Sequence, residues 1–415
     1  MKKILLFFLL QAMWIMQVHS QDTISVDYVR TLTHEFQIEN GKLIGNGANF
    51  LKDEFNNSQF VLIGETHGDA KISEFTNAIL PELAEMEFKY FCLEIGPEST
   101  KILKEICSKV PNVQSALFKF YSDYYVKVKD KPIPFFEGKE DADFLQSALE
   151  NNFSLFGIDQ EYYSSTLLLL DKLKSLDNGF SSELIYDRAC QYVREEQLKS
   201  KENKNYPMTE NFLNSSILQD FFNNLDTTNF EISNIIHNLK LSWEIYNQHS
   251  KNRIKSLTLR AELMKKEFSK NYKLFLERDA NPKILIKMGS FHTERGLSSN
   301  SVYDIGTLVS ELADFNRTQD LNIGFMFRFF KDEEEPSGYF DNSIGTSDWL
   351  LQRRALMLQG KIDQWVVIDL RKLREPCLNK QLWCYPAIRE LMFKMDLIVI
   401  PPMDREIEIN YKTEE

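Results

Sequence analysis

The chain has 415 residues, of which 43% are hydrophobic and 27% are charged. This composition is typical of a folded globular protein and excludes a largely disordered chain. The net charge is −12 and no cluster of basic residues stands out, which argues against a nucleic-acid partner, because such partners are bound through Lys and Arg.

Residues 1–20 have the layout of a secretory signal peptide. Two lysines precede an apolar run over residues 4–18, and the small residue Ser20 marks a cleavage site before Gln21. The run is shorter than the roughly 20 apolar residues that a membrane span needs. We therefore expect export to the periplasm or the medium, with no stable membrane span after removal of the signal.

The first predicted structural unit lies at Gln59 to Leu83. Residues 21–58 are mixed and polar and predict only a lead-in, so the compact part is expected to begin near Phe60. An apolar run ends at Gly64, and after Asp69 apolar residues recur every three or four positions, which is typical of one helix face. The pattern predicts a strand, a tight loop and a helix, with Asp69 as the helix N-cap.

Further apolar runs alternate with helical patterns along the chain. This order predicts α/β architecture, with a central, mainly parallel sheet flanked by helices. The expected strands after the first are Tyr90 to Ile95, Phe153 to Ile158, Lys283 to Met288, Asn322 to Phe327, Trp365 to Leu370 and Leu397 to Ile400.

One long stretch, from about 164 to 280, is rich in Leu, Lys, Glu and Asn and poor in Gly and Pro. It predicts a helical insertion within a single α/β domain spanning residues 21–415, and such an insertion can form one wall of a cleft. The acidic tail, Asp404 to Glu415, is expected to be solvated.

The five cysteines favour neither a zinc site nor a cysteine nucleophile. No pair has the short spacing of a zinc ligand motif. Cys377 and Cys384 lie seven positions apart in a loop-like stretch and are the candidate disulfide, whereas Cys92 lies inside a predicted strand and is expected to be buried.

Ionisable residues follow four of the predicted strands, each beside a glycine. They are Glu65 with His67, then Glu94, Asp159 and His292. Because the carboxyl ends of parallel strands face one side of a domain, these groups are expected to converge. His237 and His249 fall within predicted helices, where surface or packing roles are expected.

Two kinds of chemistry fit this set of residues. A histidine beside carboxylates can act as a general base on water, and two His with two Glu can also bind a divalent metal. The residue pattern leaves both open, and each residue could also be a structural loop residue. No serine-hydrolase elbow, Walker loop or dinucleotide fingerprint occurs in the sequence.

Several motifs resemble the erythromycin esterase family and its wider grouping with haem-uptake proteins of the ChaN type and Tiki-type proteins. They are the run VLIGETHGDAKISEF, Glu94 in FCLEIGP, the GID at residues 157–159, the helix with Arg260, and KMGSFHTERG. The esterases generally place two residues between the motif Glu and His. Here only Thr66 separates Glu65 from His67, which is closer to the haem-uptake branch.

The resemblance implies a small-molecule hydrolase acting on an ester or lactone bond without a required cofactor. By position, His67 becomes the base, Glu65 and Glu94 its carboxylate partners, and His292 a second histidine on the substrate or oxyanion. Asp159, Arg260 and Arg295 become candidate substrate-binding residues. The alternatives are a haem- or metal-binding uptake protein and a metal-dependent peptidase of the Tiki type, and the sequence leaves the oligomeric state open.

Overall fold

The computed structural model describes residues 22–108, 111–177, 179 and 182–412. The predicted signal peptide lies outside these residues. The strands in the described part are β1 (Asp22–Thr23), β2 (Thr33–Glu39), β3 (Lys42–Ile44), β4 (Phe60–Glu65), β5 (Phe88–Leu93), β6 (Ser154–Gly157), β7 (Lys283–Gly289), β8 (Asp320–Phe325), β9 (Phe329–Lys331), β10 (Tyr339–Asp341), β11 (Trp365–Asp369), β12 (Leu382–Trp383) and β13 (Leu397–Ile400).

The helices flank these strands in sequence order. They are α1 (Val26–Arg30), α2 (Asn46–Asn57), α3 (Ala70–Glu85), α4 (Pro97–Cys107), α5 (Val113–Val128), α6 (Lys139–Glu150), α7 (Thr166–Leu176), α8 (Glu183–Glu202), α9 (Met208–Asn214), α10 (Ser216–Asn223), α11 (Phe230–Lys251), α12 (Arg253–Leu276), α13 (Ser290–Thr293), α14 (Ile305–Asn316), α15 (Asp348–Met357), α16 (Arg371–Leu378) and α17 (Pro386–Lys394).

Nine strands form the central sheet, in the spatial order β3-β2-β11-β13-β8-β4-β7-β5-β6. The six strands from β13 to β6 are parallel, whereas β11 runs antiparallel to both of its neighbours. The predicted α/β class with a mainly parallel sheet is confirmed, and each of the seven predicted apolar runs contains a strand of this sheet.

The prediction that residues 21–58 are only a lead-in is wrong. Strands β2 and β3 pair with each other, and β2 pairs with β11, so the N-terminal segment extends the sheet at one edge. In β2, which lies between β3 and β11, the only fully buried side chain is Phe36, so this antiparallel strand lacks the apolar run that marks the central parallel strands.

Side chains of the central strands alternate between two cores. In β4, Val61 and Ile63 join a core with α2, α3 and α6, whereas Phe60 and Leu62 join a second core that includes residues of α12 and α14. Burial on both faces accounts for the continuous apolar runs. Helices α7 to α12 lie in sequence between β6 and β7, and they contribute to both cores.

The C-terminal segment was predicted to be solvated, but part of it packs against the rest of the chain. Asp404 is fully buried, and backbone groups of the segment hydrogen-bond to the chain around the start of α3. The backbone N–H of Ala70 donates to the carbonyl of Arg405 at 2.9 Å, and the N–H of Ile407 donates to the carbonyl of Gly68 at 2.9 Å. The tail therefore braces the loop that carries His67.

Two further sequence predictions concern cysteines and membrane spans. The five cysteines are buried and free, and Cys377 and Cys384 are hydrogen-bonded neighbours rather than a disulfide.

Among the described residues, the helices are too short or too polar to cross a bilayer.

Candidate active site

The carboxyl ends of β4, β7, β5 and β6 lie next to one another at one edge of the sheet. Glu65 is the last residue of β4, and Glu94 follows β5 directly. His67 lies in the loop between β4 and α3, where Gly68 adopts a φ of +88° that favours glycine. The helix begins after Asp69 as predicted, although the Asp69 side chain makes no capping hydrogen bond.

His67 stands between two carboxylates. Its Nδ1 lies 3.1 Å from Oε1 of Glu65, and its Nε2 lies 3.7 Å from Oε2 of Glu94. The Glu65 contact places the proton on Nδ1, which leaves the Nε2 lone pair free to act as a base. The His67 side chain is 37% exposed, whereas both glutamates are buried.

Each glutamate is held by a cationic side chain. Oε2 of Glu65 pairs with Nζ of Lys287, a residue of β7 that is only 4% exposed. Oε1 of Glu94 lies 2.7 Å from Nη2 of Arg260, and Oε2 of Glu94 accepts a hydrogen bond from the backbone N–H of Gly289. Both carboxylates are therefore fixed in position and remain ionised.

Asp159 and Arg260 form a two-pronged ion pair beside Glu94. The Nε of Arg260 donates to Oδ1 of Asp159 at 2.8 Å, and its Nη2 donates to Oδ2 at 2.6 Å. The hydrogen bonds that Arg260 makes to described residues do not use Nη1. Nη1 is therefore available to a ligand.

His292 lies behind Glu94 and does not line the cleft described below. Its Nε2 is 3.5 Å from Oε1 of Glu94, and its Nδ1 is 2.6 Å from Oδ2 of Asp304, the N-cap residue of α14. His292 is 5% exposed and Asp304 is 1% exposed. The structure thus brings His292 into the cluster as a partner of Glu94.

The charges of this cluster shift the pKa values of its members. Burial alone would lower the pKa of His67, but the hydrogen bond to Glu65 and the charge of Glu94 raise it above its ordinary value. His292 is affected in the same sense, because Glu94 and Asp304 outweigh its burial and the charge of Arg260. Although burial opposes ionisation, the two histidines and Arg260 hold the pKa of Glu94 at about 2.

A cleft of about 350 Å³ opens beside these residues. Phe135 forms part of its wall and stacks on the His67 ring, with ring centroids 3.9 Å apart and an angle of 16° between planes. Phe135 has a φ of +69°, which is unusual for a bulky residue and marks a locally strained loop. The lining residues are His67, Glu94, Pro134, Phe135, Asp159, Gln160, Tyr162, Tyr246, His249, Ser256, Leu257 and Arg260.

Two placements differ from the sequence analysis. His249 was expected to have a surface or packing role, but it lies on α11 and lines the cleft together with His67. Arg295, a candidate substrate-binding residue, lies elsewhere, because its guanidinium pairs with Asp396 and, at 2.7 Å, with Asp320 at the start of β8. Because β8 and β4 are parallel, the start of β8 lies at the opposite end of these strands from Glu65.

A second cleft, of about 530 Å³, lies between α4, α11 and α12. It is the larger of the two, but it contains none of the four residues predicted to be catalytic. His237 lines it, together with several lysines. The convergence of perturbed titratable groups makes the smaller cleft the stronger candidate for an active site.

Glu65, His67 and Glu94 are also the residues that could gather around a metal ion, since one ligand atom from each lies within 4.8 Å of the others. Their existing partners do not suit a divalent cation. Both oxygens of Glu65 are occupied, by His67 and by Lys287, and both oxygens of Glu94 accept from Arg260 and Gly289. Lys287 and Arg260 already neutralise the carboxylates that a metal would require.

Comparison with solved structures places this site on a known fold. A mutant of the erythromycin esterase EreC in its open conformation matches with a TM-score of 0.56 and 13% identity, over 90% of this chain and 98% of that chain. The chain has the fold of an erythromycin esterase. The resemblance predicted from the sequence motifs is confirmed at the level of this esterase fold.

Two other structures share the esterase fold at 13% identity. A succinoglycan biosynthesis protein has a TM-score of 0.54 over 92% of this chain and 97% of that chain. A Bacillus cereus protein has a TM-score of 0.53 over 92% of this chain and 98% of that chain. No protein-family model matches the sequence, and no curated protein matches it either.

Several residues at the candidate site were not predicted from the sequence. Lys287 carries a signal, because it is a charged residue near the middle of an otherwise apolar strand. Asp304, Phe135 and Gln160 carry none that distinguishes them from ordinary loop residues. Their roles arise from long-range packing of separate segments against the strand ends.

Proposed function

We propose that the protein is a hydrolase that cleaves an ester or lactone bond with a water molecule activated by His67. The observation that carries this proposal is the placement of His67 between Glu65 and Glu94, with Nε2 free and 3.7 Å from Oε2 of Glu94. Both atoms can hydrogen-bond one water molecule. General-base catalysis needs this geometry, with a base in hydrogen-bond reach of the proton that it removes.

In the proposed reaction the water oxygen attacks the carbonyl carbon while its proton moves to Nε2 of His67. Glu65 keeps the Nδ1 proton in place, and the charges of Glu65 and Glu94 stabilise the imidazolium that forms. The imidazolium then returns the proton to the departing alkoxide as the tetrahedral intermediate collapses. The products are a carboxylic acid and an alcohol, so atoms and charge balance.

Arg260 is the proposed partner of the developing oxyanion. It lines the cleft, and its Nη1 is free of hydrogen bonds to the described residues. Asp159 fixes the guanidinium through two hydrogen bonds, which preorganises this cation before the substrate arrives. In this assignment His292 is a positioning residue, since it contacts Glu94 and does not line the cleft.

The reaction as proposed needs neither a metal nor haem. The pairing of Glu65 with Lys287 and of Glu94 with Arg260 supports this, because these cations already neutralise the two carboxylates that a metal would require. We also propose export with removal of residues 1–20, which mass spectrometry of the native N-terminus checks.

A screen of purified protein against ester, lactone and peptide libraries tests the function. Wild type, His67→Ala and His237→Ala are compared on each substrate, with and without chelator. We expect His67→Ala to retain its fold and to lose turnover by about 10²- to 10⁴-fold. His237→Ala, which alters an exposed histidine of the second cleft, should retain wild-type turnover.

Four results would contradict the proposal. Equal activity per folded molecule in wild type and His67→Ala would remove His67 from catalysis. Loss of activity in His237→Ala alone would move the active site to the second cleft. Activity that chelator removes and a divalent ion restores would support the metal-dependent peptidase class, and stoichiometric haem in the purified protein would support the uptake class.

A further inference from the structure

Gln160 carries a buried acceptor that no group of the described protein satisfies. The residue is 7% exposed and lines the cleft beside His67 and Glu94. Its Oε1 is shielded from solvent and has no hydrogen-bond partner. Leaving a buried acceptor unpaired is energetically unfavourable, so a group in this state at a binding cleft points to a missing partner.

The nitrogen atom of the same Gln160 amide has a partner. The Gln160 amide donates to the hydroxyl of Tyr246, which opposes the rise in the Tyr246 pKa that burial causes. Because the amide nitrogen interacts with Tyr246, the carbonyl oxygen is the polar atom of this side chain that lacks a partner. It can only accept a hydrogen bond.

The backbone around Gln160 is held on both sides. The N–H of Asp159 donates to the carbonyl of Ile95 at 3.1 Å, and the N–H of Glu161 donates to Oγ of Ser242 at 2.8 Å. The terminal torsion of a glutamine side chain is broad, so Oε1 can adjust to a ligand in the cleft by a small rotation that keeps the amide nitrogen near Tyr246 and leaves the backbone in place. Gln160 is therefore a side chain on a rigid backbone, which suits a residue that recognises a ligand.

We propose that Gln160 is a specificity-determining residue whose side-chain oxygen accepts a hydrogen bond from a hydroxyl or N–H group of the substrate. This inference rests on the proposed function, and it narrows the substrate class to esters or lactones that carry such a donor near the scissile bond. Tyr162, Tyr246 and Phe135 supply the apolar surfaces beside that donor. Rings with a few fixed polar groups are the usual lining of small-molecule sites.

Matched triads of p-nitrophenyl hexanoates test the inference. Each triad carries hydrogen, hydroxyl or methoxy at one acyl carbon, and every carbon that gives a stable ester is sampled. We expect wild type to favour the hydroxyl ester over both partners by about tenfold in kcat/KM at one or more positions. Methoxy can accept but not donate, so it should resemble hydrogen.

Three variants locate the preference on the Gln160 oxygen. Gln160→Met keeps the length of the side chain and removes the acceptor, so the hydroxyl preference should disappear mainly through KM. Gln160→Glu keeps an acceptor oxygen and should retain a preference. Tyr246→Phe removes the partner of the amide nitrogen but leaves Oε1 in place, so the ratio between hydroxyl and hydrogen esters should persist.

Binding of the corresponding N,N-dimethyl hexanamides separates this inference from the proposed hydrolysis. These amides lack a labile ester and lack N–H donors, and saturation-transfer NMR reports their binding without turnover. A hydroxyl preference in binding but no ester hydrolysis would retain the role of Gln160 and refute the hydrolase. The assignment of Oε1 would be wrong if wild type gave the same kcat/KM and the same binding with hydrogen, hydroxyl and methoxy. It would also be wrong if methoxy improved kcat/KM or binding as much as hydroxyl.

Discussion

Nε2 of His292 lies 3.5 Å from Oε1 of Glu94, and His292, unlike Glu94, does not line the cleft. Asp304 holds the opposite ring nitrogen at 2.6 Å, so the imidazole is fixed between two acids. Both acids favour the protonated form of His292 and raise its pKa against the effect of burial. In return, the contact with His292 lowers the pKa of Glu94 and holds this carboxylate in place.

His292→Ala should therefore lower kcat by about tenfold to a hundredfold while KM changes little, because the side chain contacts Glu94 and not the cleft. Steady-state kinetics on a substrate found in the screen would measure this. Asp304→Asn is a milder variant, which keeps the packing but weakens the hold on the ring, and its kcat should fall less. A rise in KM without a change in kcat would place His292 on the substrate.

The raised pKa of His67 predicts a pH dependence. A base must be neutral to accept a proton, so kcat/KM should fall as the pH drops through the His67 pKa, with a midpoint above the ordinary value of about 6.5. Glu94→Gln removes one of the charges that raise this pKa. The acid limb of the profile should therefore move to lower pH, together with a lower maximum rate.

NMR titration of the His67 ring in wild type and Glu94→Gln checks the shift independently of turnover. An unchanged or higher His67 midpoint in Glu94→Gln would contradict the proposed electrostatics.

The buried pair of Glu65 and Lys287 predicts a loss of stability. Lys287→Met leaves Glu65 as an uncompensated buried charge, so the free energy of unfolding should fall by about 3 to 5 kcal/mol. The pKa of Glu65 is lowered in the fold, because Lys287 and His67 outweigh burial. Its contribution is thus present above the unfolded pKa of about 4.3 and is lost as the pH falls through the folded pKa.

The deficit of Lys287→Met should accordingly be large near neutral pH and shrink as Glu65 becomes protonated in acid. Chemical denaturation across this pH range measures it. The double variant Glu65→Leu with Lys287→Met has no buried charge at this position and should recover much of the loss. An equal deficit at every pH would assign the effect to packing alone.

The strand ends of this protein were predictable because their signal is local. Glu65, Glu94 and Asp159 follow apolar runs, and parallel strands bring their carboxyl ends to one edge. The antiparallel strand β2 escaped prediction because only one of its side chains is fully buried. The antiparallel part of a sheet needs no continuous apolar run.

The remaining parts of the site depend on contacts distant in sequence. Phe135 reaches His67 from a loop 68 positions away, and Asp304 reaches His292 from the N-terminus of α14. The tail braces the His67 loop through backbone hydrogen bonds at Gly68 and Ala70, which its acidic side chains do not reveal. Such contacts require the fold before they can be seen.

Gly289 gives the sharpest test of the geometry around His67. A Cβ at this position would lie 3.1 Å from Nε2 of His67 and 3.3 Å from Oε2 of Glu94, while the Gly289 N–H also donates to Glu94. Gly289→Ala should therefore displace these two side chains by a few tenths of an ångström and occupy the place of the attacking water. We expect a loss in kcat of about a hundredfold with a small change in the free energy of unfolding. Gly338→Ala is a control for adding a methyl group to a glycine, because its Cβ meets no other atom within 4 Å, and its φ of +74° predicts a cost in stability without a loss of kcat. If Gly289→Ala retained wild-type kcat, the water between His67 and Glu94 could not be the nucleophile.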